Sequence, residues 1–245
     1  MVEVGPGLGS LTLALAETGA EVVALEVDPA LLPALEEVLA PFDRVRVELG
    51  DAMTADWRAL LPGEGPWSMV ANLPYNVAVP VVMRVLEEEP RVRRLVVMVQ
   101  REVGERLAAG PGDPEFGAVS LRVAYRAEAR VIRRVARTVF WPMPSVESVL
   151  VGLVRRPPPV DAEPAALFEL IRVAFGERRK TIRNALIRSG LDAGGAARAL
   201  AAGGVEPATR PEQLGLESFA ALSEAARAVR AGVGERSTGP RAGPS

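Results

Sequence analysis

Short apolar runs near residues 2 to 4, 21 to 26, 44 to 49, 67 to 71, 92 to 99, 127 to 135 and 146 to 154, each bounded by turn-forming residues, predict seven strands. Between the first five, apolar positions recur at three- and four-residue spacing and predict helices near 9 to 18, 29 to 40, 77 to 88 and 101 to 109. Strands that alternate with helices build a doubly wound parallel sheet, and the last two strands predict an antiparallel hairpin at its end. The run Arg155-Arg156-Pro157-Pro158-Pro159 then interrupts regular structure, because three prolines remove donors and stiffen a connector. Past it the pattern is helical only, near 163 to 175, 177 to 189, 193 to 202 and 216 to 230, with Gly203-Gly204 and Pro211 as punctuation. The expected organisation is an α/β domain over residues 1 to 156 and a small all-helical domain over 160 to 230. Residues 231 to 245, rich in Gly, Pro and Ser with little to bury, predict a disordered tail. The chain shows no internal repeat.

The first strand runs into Glu3-Val4-Gly5-Pro6-Gly7-Leu8-Gly9-Ser10, three glycines at alternate positions ahead of a helix. Glycines there let the backbone turn tightly and approach a ligand closely. Such turns serve nicotinamide, flavin and S-adenosylmethionine sites alike, and can be purely structural. The Gly-x-Gly-x-Gly spacing differs from the dinucleotide pattern Gly-x-Gly-x-x-Gly and tilts the choice toward S-adenosylmethionine. The second strand ends in Glu26, about twenty residues on, where a carboxylate can accept both ribose hydroxyls. The third ends in Gly50-Asp51-Ala52, where Asp51 can accept from an adenine amino group. Either acid also reads as a strand-end or capping residue. Three such features in this order nonetheless point to a nucleoside cofactor.

The fourth strand ends in Asn72-Leu73-Pro74-Tyr75. A side-chain carbonyl, a proline-fixed bend and an aromatic face at a strand end suit a flat nucleobase held by its amino group. The same four residues read alone as a strand-end turn with a core tyrosine.

These stretches, with Gln100-Arg101-Glu102-Val103, Val139-Phe140-Trp141-Pro142-Met143-Pro144-Ser145-Val146-Glu147-Ser148 and Phe175-Gly176-Glu177-Arg178-Arg179-Lys180-Thr181-Ile182-Arg183-Asn184, resemble the successive motifs of the KsgA-type ribosomal RNA adenine dimethyltransferases. The resemblance covers nearly all of residues 1 to 230. It implies a Rossmann-like, seven-stranded S-adenosylmethionine-dependent methyltransferase fold with a helical C-terminal domain that binds ribosomal RNA. It implies that Gly5, Gly7 and Gly9, with Glu3 beside them, cradle the methionine part of the cofactor, Glu26 the ribose, and Asp51 with the Ala52 and Met53 backbone the adenine. Asn72 and the Leu73 carbonyl would hold the target amino group, on the bend set by Pro74. Tyr75 and Phe140 would grip the target base, and Arg178, Arg179, Lys180 and Arg183 would meet RNA. The implied substrate is two adjacent adenines near the 3′ end of 16S ribosomal RNA in an immature small subunit, and a monomer is expected. Family members usually carry several tens of residues before the glycine turn, so an upstream segment is expected too. Two other readings stay open: a large-subunit RNA adenine methyltransferase of the macrolide-resistance type, and a ribosome-assembly RNA-binding protein impaired in catalysis.

Composition narrows the chemistry. The 245 residues contain no cysteine and no histidine, which removes disulfides, thiol nucleophiles, histidine bases and Cys/His metal sites. Without a run of eighteen apolar residues or a signal pattern, a cytoplasmic protein with no membrane span is expected. The net charge of -2 hides segregation: residues 1 to 60 hold eleven acidic and three basic side chains. Residues 121 to 140 carry Arg122, Arg126, Arg130, Arg133, Arg134 and Arg137 against Glu128, and residues 171 to 190 repeat the excess. Two basic stretches suit a phosphate backbone, and each also reads as a solvated face.

Overall fold

The computed structural model describes residues 1–74, 76–141, 143–177 and 180–237, with side chains through 232. The chain forms two compact units, one of residues 1–108 with 126–157 and one of 109–125 with 158–245.

The first unit is built on a seven-stranded sheet. Its elements in chain order are β1 (Val2–Val4), α1 (Ser10–Ala16), β2 (Val22–Glu26), α2 (Leu32–Leu39), β3 (Val45–Leu49), α3 (Trp57–Leu60), β4 (Trp67–Asn72), α4 (Ala78–Glu88), β5 (Val92–Gln100), α5 (Arg101–Ala108), β6 (Ala127–Val135) and β7 (Ser148–Arg155). The strand order is β3-β2-β1-β4-β5-β7-β6, with the first five parallel and β7 antiparallel to both its neighbours. Burial explains the sequence pattern. Every residue of β1 and β2 is buried, as expected of strands covered on both faces, and they read as unbroken apolar runs except for their acids.

Packing fixes where the strand ends lie. A Cβ built on Gly104 of α5 would stand 2.2 Å from a Val149 methyl and 2.8 Å from one of Val151, so this helix lies against β7 at a distance only glycine permits. Arg155, in the predicted connector, is structural: its guanidinium donates to the Leu86, Val85 and Glu89 carbonyls at the C-terminal end of α4 and to the Val92 carbonyl at the start of β5. That end would otherwise leave buried carbonyls without donors. Arg91 is tied to Glu89 at 2.6 Å in a buried ion pair and donates to the Leu61 and Arg58 carbonyls, which fastens the loop ahead of β4.

The second unit contains α6 (Ala118–Arg126, of which Arg126 begins the return to the sheet), α7 (Pro164–Phe175), α8 (Ile182–Arg188), α9 (Ala193–Ala202) and α10 (Leu216–Ser237). Phe116, Leu121, Tyr125, Leu167, Ile171 and Phe219 lie together in its core. Three outcomes differ from the sequence expectation. Residues 109–125, expected within the first domain, pack with the second unit, because their buried Phe116, Leu121 and Tyr125 belong to that core. The helix expected from 177 begins only at Ile182: Gly176 closes α7, and Thr181 is extended at φ -75°, ψ 161°. Helix α10 runs on to Ser237, past the predicted end at 230 and into the stretch expected to be disordered. The remainder of that expected tail, residues 238 to 245, lies outside the described residues.

Candidate active site

Strand order reverses between β1 and β4, since the chain builds outward from β1 through β2 and β3, then from β4 through β5. In open α/β sheets the crevice outside the C-terminal strand ends at such a reversal is where ligands bind. The glycine turn leaves β1 there, and Asn72-Leu73-Pro74 leaves β4. The two motifs meet: a Cβ built on Gly5 would stand 3.8 Å from Pro74 Cδ. Residues nearly seventy apart in sequence thus line one crevice.

The glycine turn needs its glycines. Gly5, Gly7 and Gly9 have φ of +70°, +59° and +86°, which side chains with a Cβ rarely adopt. Gly9 has a second reason, since a Cβ on it would meet Leu35 Cδ1 at 2.9 Å. At Gly7 the added Cβ would meet nothing within 4 Å among the described residues, so they leave the backbone open on that side.

The turn is held by Glu26. Its Oε2 accepts the Gly7 N–H at 3.1 Å, while Oε1 accepts the Val27 and Asp28 N–H groups at 2.9 and 3.0 Å. A carboxylate offers about four acceptor positions, so Oε2 keeps one for a ligand hydroxyl. Asp51 behaves similarly: Oδ1 accepts the Met53 N–H at 2.8 Å while the side chain stays exposed. Ala52, the neighbouring candidate, is buried. The sequence left open whether these acids bind or cap. Both cap backbone amides and retain acceptor capacity.

Glu3 is the electrostatic anomaly of the crevice. It is 1 % exposed, and its Oε2 has no hydrogen-bond partner among the described residues. Burial, with the Glu26 charge adding to it and nearby Thr12 opposing, pushes the Glu3 carboxyl up to about 7. The Thr12 hydroxyl is itself buried and completes no hydrogen bond among the described residues. A buried acid with one oxygen lacking a donor among the described residues, two positions ahead of the glycine turn, fits a ligand that brings a cationic or N–H group. The α-ammonium of S-adenosylmethionine is such a group, and Glu26 and Asp51 supply acceptors for a nucleoside.

At the end of β4, Leu73 is 1 % exposed and its N–H donates to the Met98 carbonyl at 3.1 Å, which locks the bend to β5. Asn72 is exposed, and its side-chain amide makes no hydrogen bond among the described residues. It therefore caps nothing there and is available to a ligand. Pro74 is exposed, and its carbonyl accepts the Val77 N–H at 3.2 Å. Tyr75 lies outside the described residues. Phe140 is half-buried in the loop from β6 to β7, just after a single 3-10 turn at Arg137–Val139. Gln100 pairs with Ser148, so this loop ends beside the C-terminal end of β5, the neighbour of β4.

One positioning residue had no sequence signal. Arg84 of α4 donates to the Ala52 carbonyl at 2.9 Å and the Ala55 carbonyl at 2.8 Å, and is braced by Glu88 at 2.9 Å. It clamps the turn that presents Asp51. Its partners are about thirty residues away in sequence, so no local pattern reveals them.

The basic stretches resolve unevenly. In the second unit Arg172 is paired with Glu169 and Arg188 with Glu177, while Lys180 is exposed, Arg183 is half-buried, and neither is ion-paired among the described residues. Arg178 and Arg179 lie outside the described residues. Residues 121 to 140 do not form one basic element. Arg122 lies in the second unit, Arg126 is paired with Glu87 and Arg134 with Glu105, and Arg130, Arg133 and Arg137 are exposed on the first unit.

The sheet order and the crevice at its reversal define a Rossmann-like α/β fold of the methyltransferase class. Two solved structures share it: a dimethyladenosine transferase from Plasmodium falciparum, at 20% identity and a TM-score of 0.75 over 90% of this chain and 87% of that one, and the 23S rRNA methyltransferase ErmE, at 25% and 0.70 over 92% and 90%. Residues 1–227 match the family model of ribosomal RNA adenine dimethylase, and the chain belongs to that family. Similar curated proteins include Ribosomal RNA small subunit methyltransferase A from Thermobifida fusca, 47% identical over 91% of this chain and 79% of its own length. The protein of the same name from Streptomyces griseus is 46% identical over 91% of this chain and 78% of its own length. The cofactor is S-adenosyl-L-methionine and the chain is an adenine methyltransferase. Among the described residues no helix is long and apolar enough to cross a membrane.

Proposed function

We propose that this chain dimethylates the N6 amino groups of two adjacent adenines near the 3′ end of 16S ribosomal RNA, acting as a cytoplasmic monomer on an immature small subunit. The observation that carries the reading is the approach of Gly5 to Pro74, which sets a cofactor turn and a base-holding motif against each other. Relatives at 46 and 47% identity bear the name small subunit methyltransferase, and this favours the small-subunit substrate over the large-subunit alternative, for which the likeness to ErmE is 25%.

Gly5, Gly7, Gly9 and Glu3 would hold the amino-acid end of S-adenosylmethionine, Glu26 its ribose, and Asp51 with Ala52 its adenine. When bound, the cofactor supplies an electrophilic methyl group. The protein's task is to make a poor nucleophile competent, because the adenine amino lone pair is delocalised into the ring. The Asn72 side-chain oxygen and the Leu73 carbonyl would accept the amino hydrogens and orient the nitrogen so that its lone pair is localised for attack. Asn72 is neutral, so a nitrogen already carrying one methyl enters without stranding a buried charge. Tyr75 and Phe140 replace the stacking that the flipped base loses. Lys180 and Arg183, with Arg178 and Arg179, would meet the phosphate backbone.

The test is Asn72→Ala, assayed on small subunits lacking the modification with mass spectrometry of the digested RNA. Turnover should fall about a hundred- to a thousandfold, the loss of one transition-state hydrogen bond, while cofactor and subunit still bind. Unchanged turnover removes Asn72 from the reaction. Tight subunit binding by the wild type with no methylated adenosine overturns the enzyme reading.

A further inference from the structure

The loop that carries Phe140 also carries the most exposed aromatic side chain of the described residues. Trp141 is 98% exposed, whereas the other two tryptophans, Trp57 and Trp67, are 2% and 5% exposed and sit in the core. Val139 and Met143 beside it are 68% and 57% exposed. An indole and two aliphatic side chains held in water at one loop tip are unfavourable for an isolated chain.

The tip is not a loose end. On one side, Phe140 N–H donates to the Arg137 carbonyl at 3.3 Å within the single 3-10 turn. On the other, Arg101 N–H donates to the Glu147 carbonyl at 3.0 Å and its guanidinium pairs with the Glu147 carboxylate at 3.3 Å. The loop is thus fastened at Glu147 to the start of α5 and folded into a 3-10 turn ahead of Phe140, and Trp141 stands exposed. Arg133 and Arg137 are exposed on the same segment and make no ion pair among the described residues.

An exposed aromatic ring on a stretch that also carries exposed arginines without ion pairs among the described residues suits a single-stranded nucleic acid: bases stack on the ring while phosphates meet the cations. A protein partner of acidic character would match the arginines but gains nothing specific from a lone flat ring. We infer that Trp141 stacks on the nucleobase adjoining the target adenine, holding the neighbour unstacked while the target base is gripped at Phe140. The inference rests on the proposed methyl transfer only in naming which base is the target. Consecutive Cα atoms lie about 3.8 Å apart, so a base gripped at Phe140 brings its sequence neighbour within reach of the next side chain. With two adjacent adenines as substrate, whichever waits would be the one stacked.

The three tryptophans make the test direct, because Trp141 alone is open to solvent. Emission is followed as a short single-stranded RNA with two adjacent adenines is added, then repeated with an RNA whose single adenine is flanked by abasic residues. The first RNA should quench the exposed emission, the second should quench it far less, and Trp141→Phe should show no quenching by either. Turnover of Trp141→Ala on unmethylated small subunits should fall about tenfold or more, the loss of one base–aromatic stack, with Trp141→Phe restoring most of it and the melting temperature of both unchanged. Equal quenching by the abasic RNA, or turnover of Trp141→Ala within about twofold of wild type, overturns the inference. Quenching by purified small-subunit proteins but not by RNA assigns the tip to a protein partner and also overturns it. If RNA quenches Trp141 while no variant methylates anything, the methyl-transfer reading fails and the stacking stands. If the wild type methylates its subunits but no RNA quenches Trp141, methyl transfer stands and the stacking fails.

Discussion

The Glu26 carboxylate accepts the Gly7 N–H at 3.1 Å, so the acid proposed to hold the ribose also holds the turn proposed to hold the other end of the cofactor. Glu26→Ala should therefore remove two things at once. Affinity for S-adenosylmethionine, measured by calorimetry, should fall by roughly 1.5 to 3 kcal/mol for a lost hydrogen bond to a charged group, and more if the turn relaxes. Thermal stability should fall as well, since three backbone N–H groups lose their acceptor. Unchanged affinity would detach Glu26 from the site.

Glu3 predicts a pH dependence of stability. Its carboxyl is raised from 4.5 to about 7 in the folded chain, chiefly by burial, so the folded state binds the proton more tightly than the unfolded state does. The stabilisation is fully present below the unfolded value and is lost as pH rises through the folded value. Between about pH 4.5 and 7 the wild type should lose at most about 3 kcal/mol from this group, and Glu3→Gln should flatten that slope. Denaturant unfolding at pH 5 and pH 8 reads the difference. Parallel slopes for the two proteins would remove Glu3 as the titrating group.

Arg84 tests whether the Asp51 turn is positioned from a distance. Arg84→Ala removes donors to the Ala52 and Ala55 carbonyls without touching the carboxylate itself. Cofactor affinity should drop about three- to tenfold, near the worth of one ordinary hydrogen bond. Arg84→Lys should restore little, because one ammonium does not reproduce the forked geometry. Full affinity in Arg84→Ala would mean the turn holds itself.

Salt dependence separates the basic side chains. Lys180 and Arg183 make no ion pair among the described residues, whereas Arg172 and Arg188 are paired with Glu169 and Glu177. Removing a phosphate contact lowers the slope of log affinity against log salt by about one. Lys180→Ala and Arg183→Ala should each show that change in RNA binding, and Arg172→Ala much less. Identical slopes in all three would leave these residues as a solvated face.

The strand ends were legible because fully buried parallel strands read as plain apolar runs, and β2 is the clearest case. The candidate site was legible where a motif is local, as in the glycine turn and Asn72-Leu73-Pro74, which the fold brings to one crevice. What stayed hidden depends on partners far away in sequence. Leu121, Val123 and Tyr125 alternate with Arg122, Ala124 and Arg126, a period of two that does not announce a helix, yet packing in the second unit's core makes it α6. Arg84 falls in an apolar helical stretch and gives no hint of the turn it clamps. The unpartnered acid at Glu3 reads in sequence as one more member of a motif. Its lack of a donor emerges only when β1 is enclosed between β2 and β4.

The second unit draws on two separate pieces of chain, 109–125 and 158–245, with the β6–β7 hairpin threaded between them in sequence. Cutting at Pro157, where three prolines invite it, would not release a clean first half. The severed piece would keep Phe116, Leu121 and Tyr125 but lose Leu167, Ile171 and Phe219, the residues that share their core. Such a fragment would carry a raw aromatic face into water and clump on it, so the two halves must be made, and inherited, as one molecule.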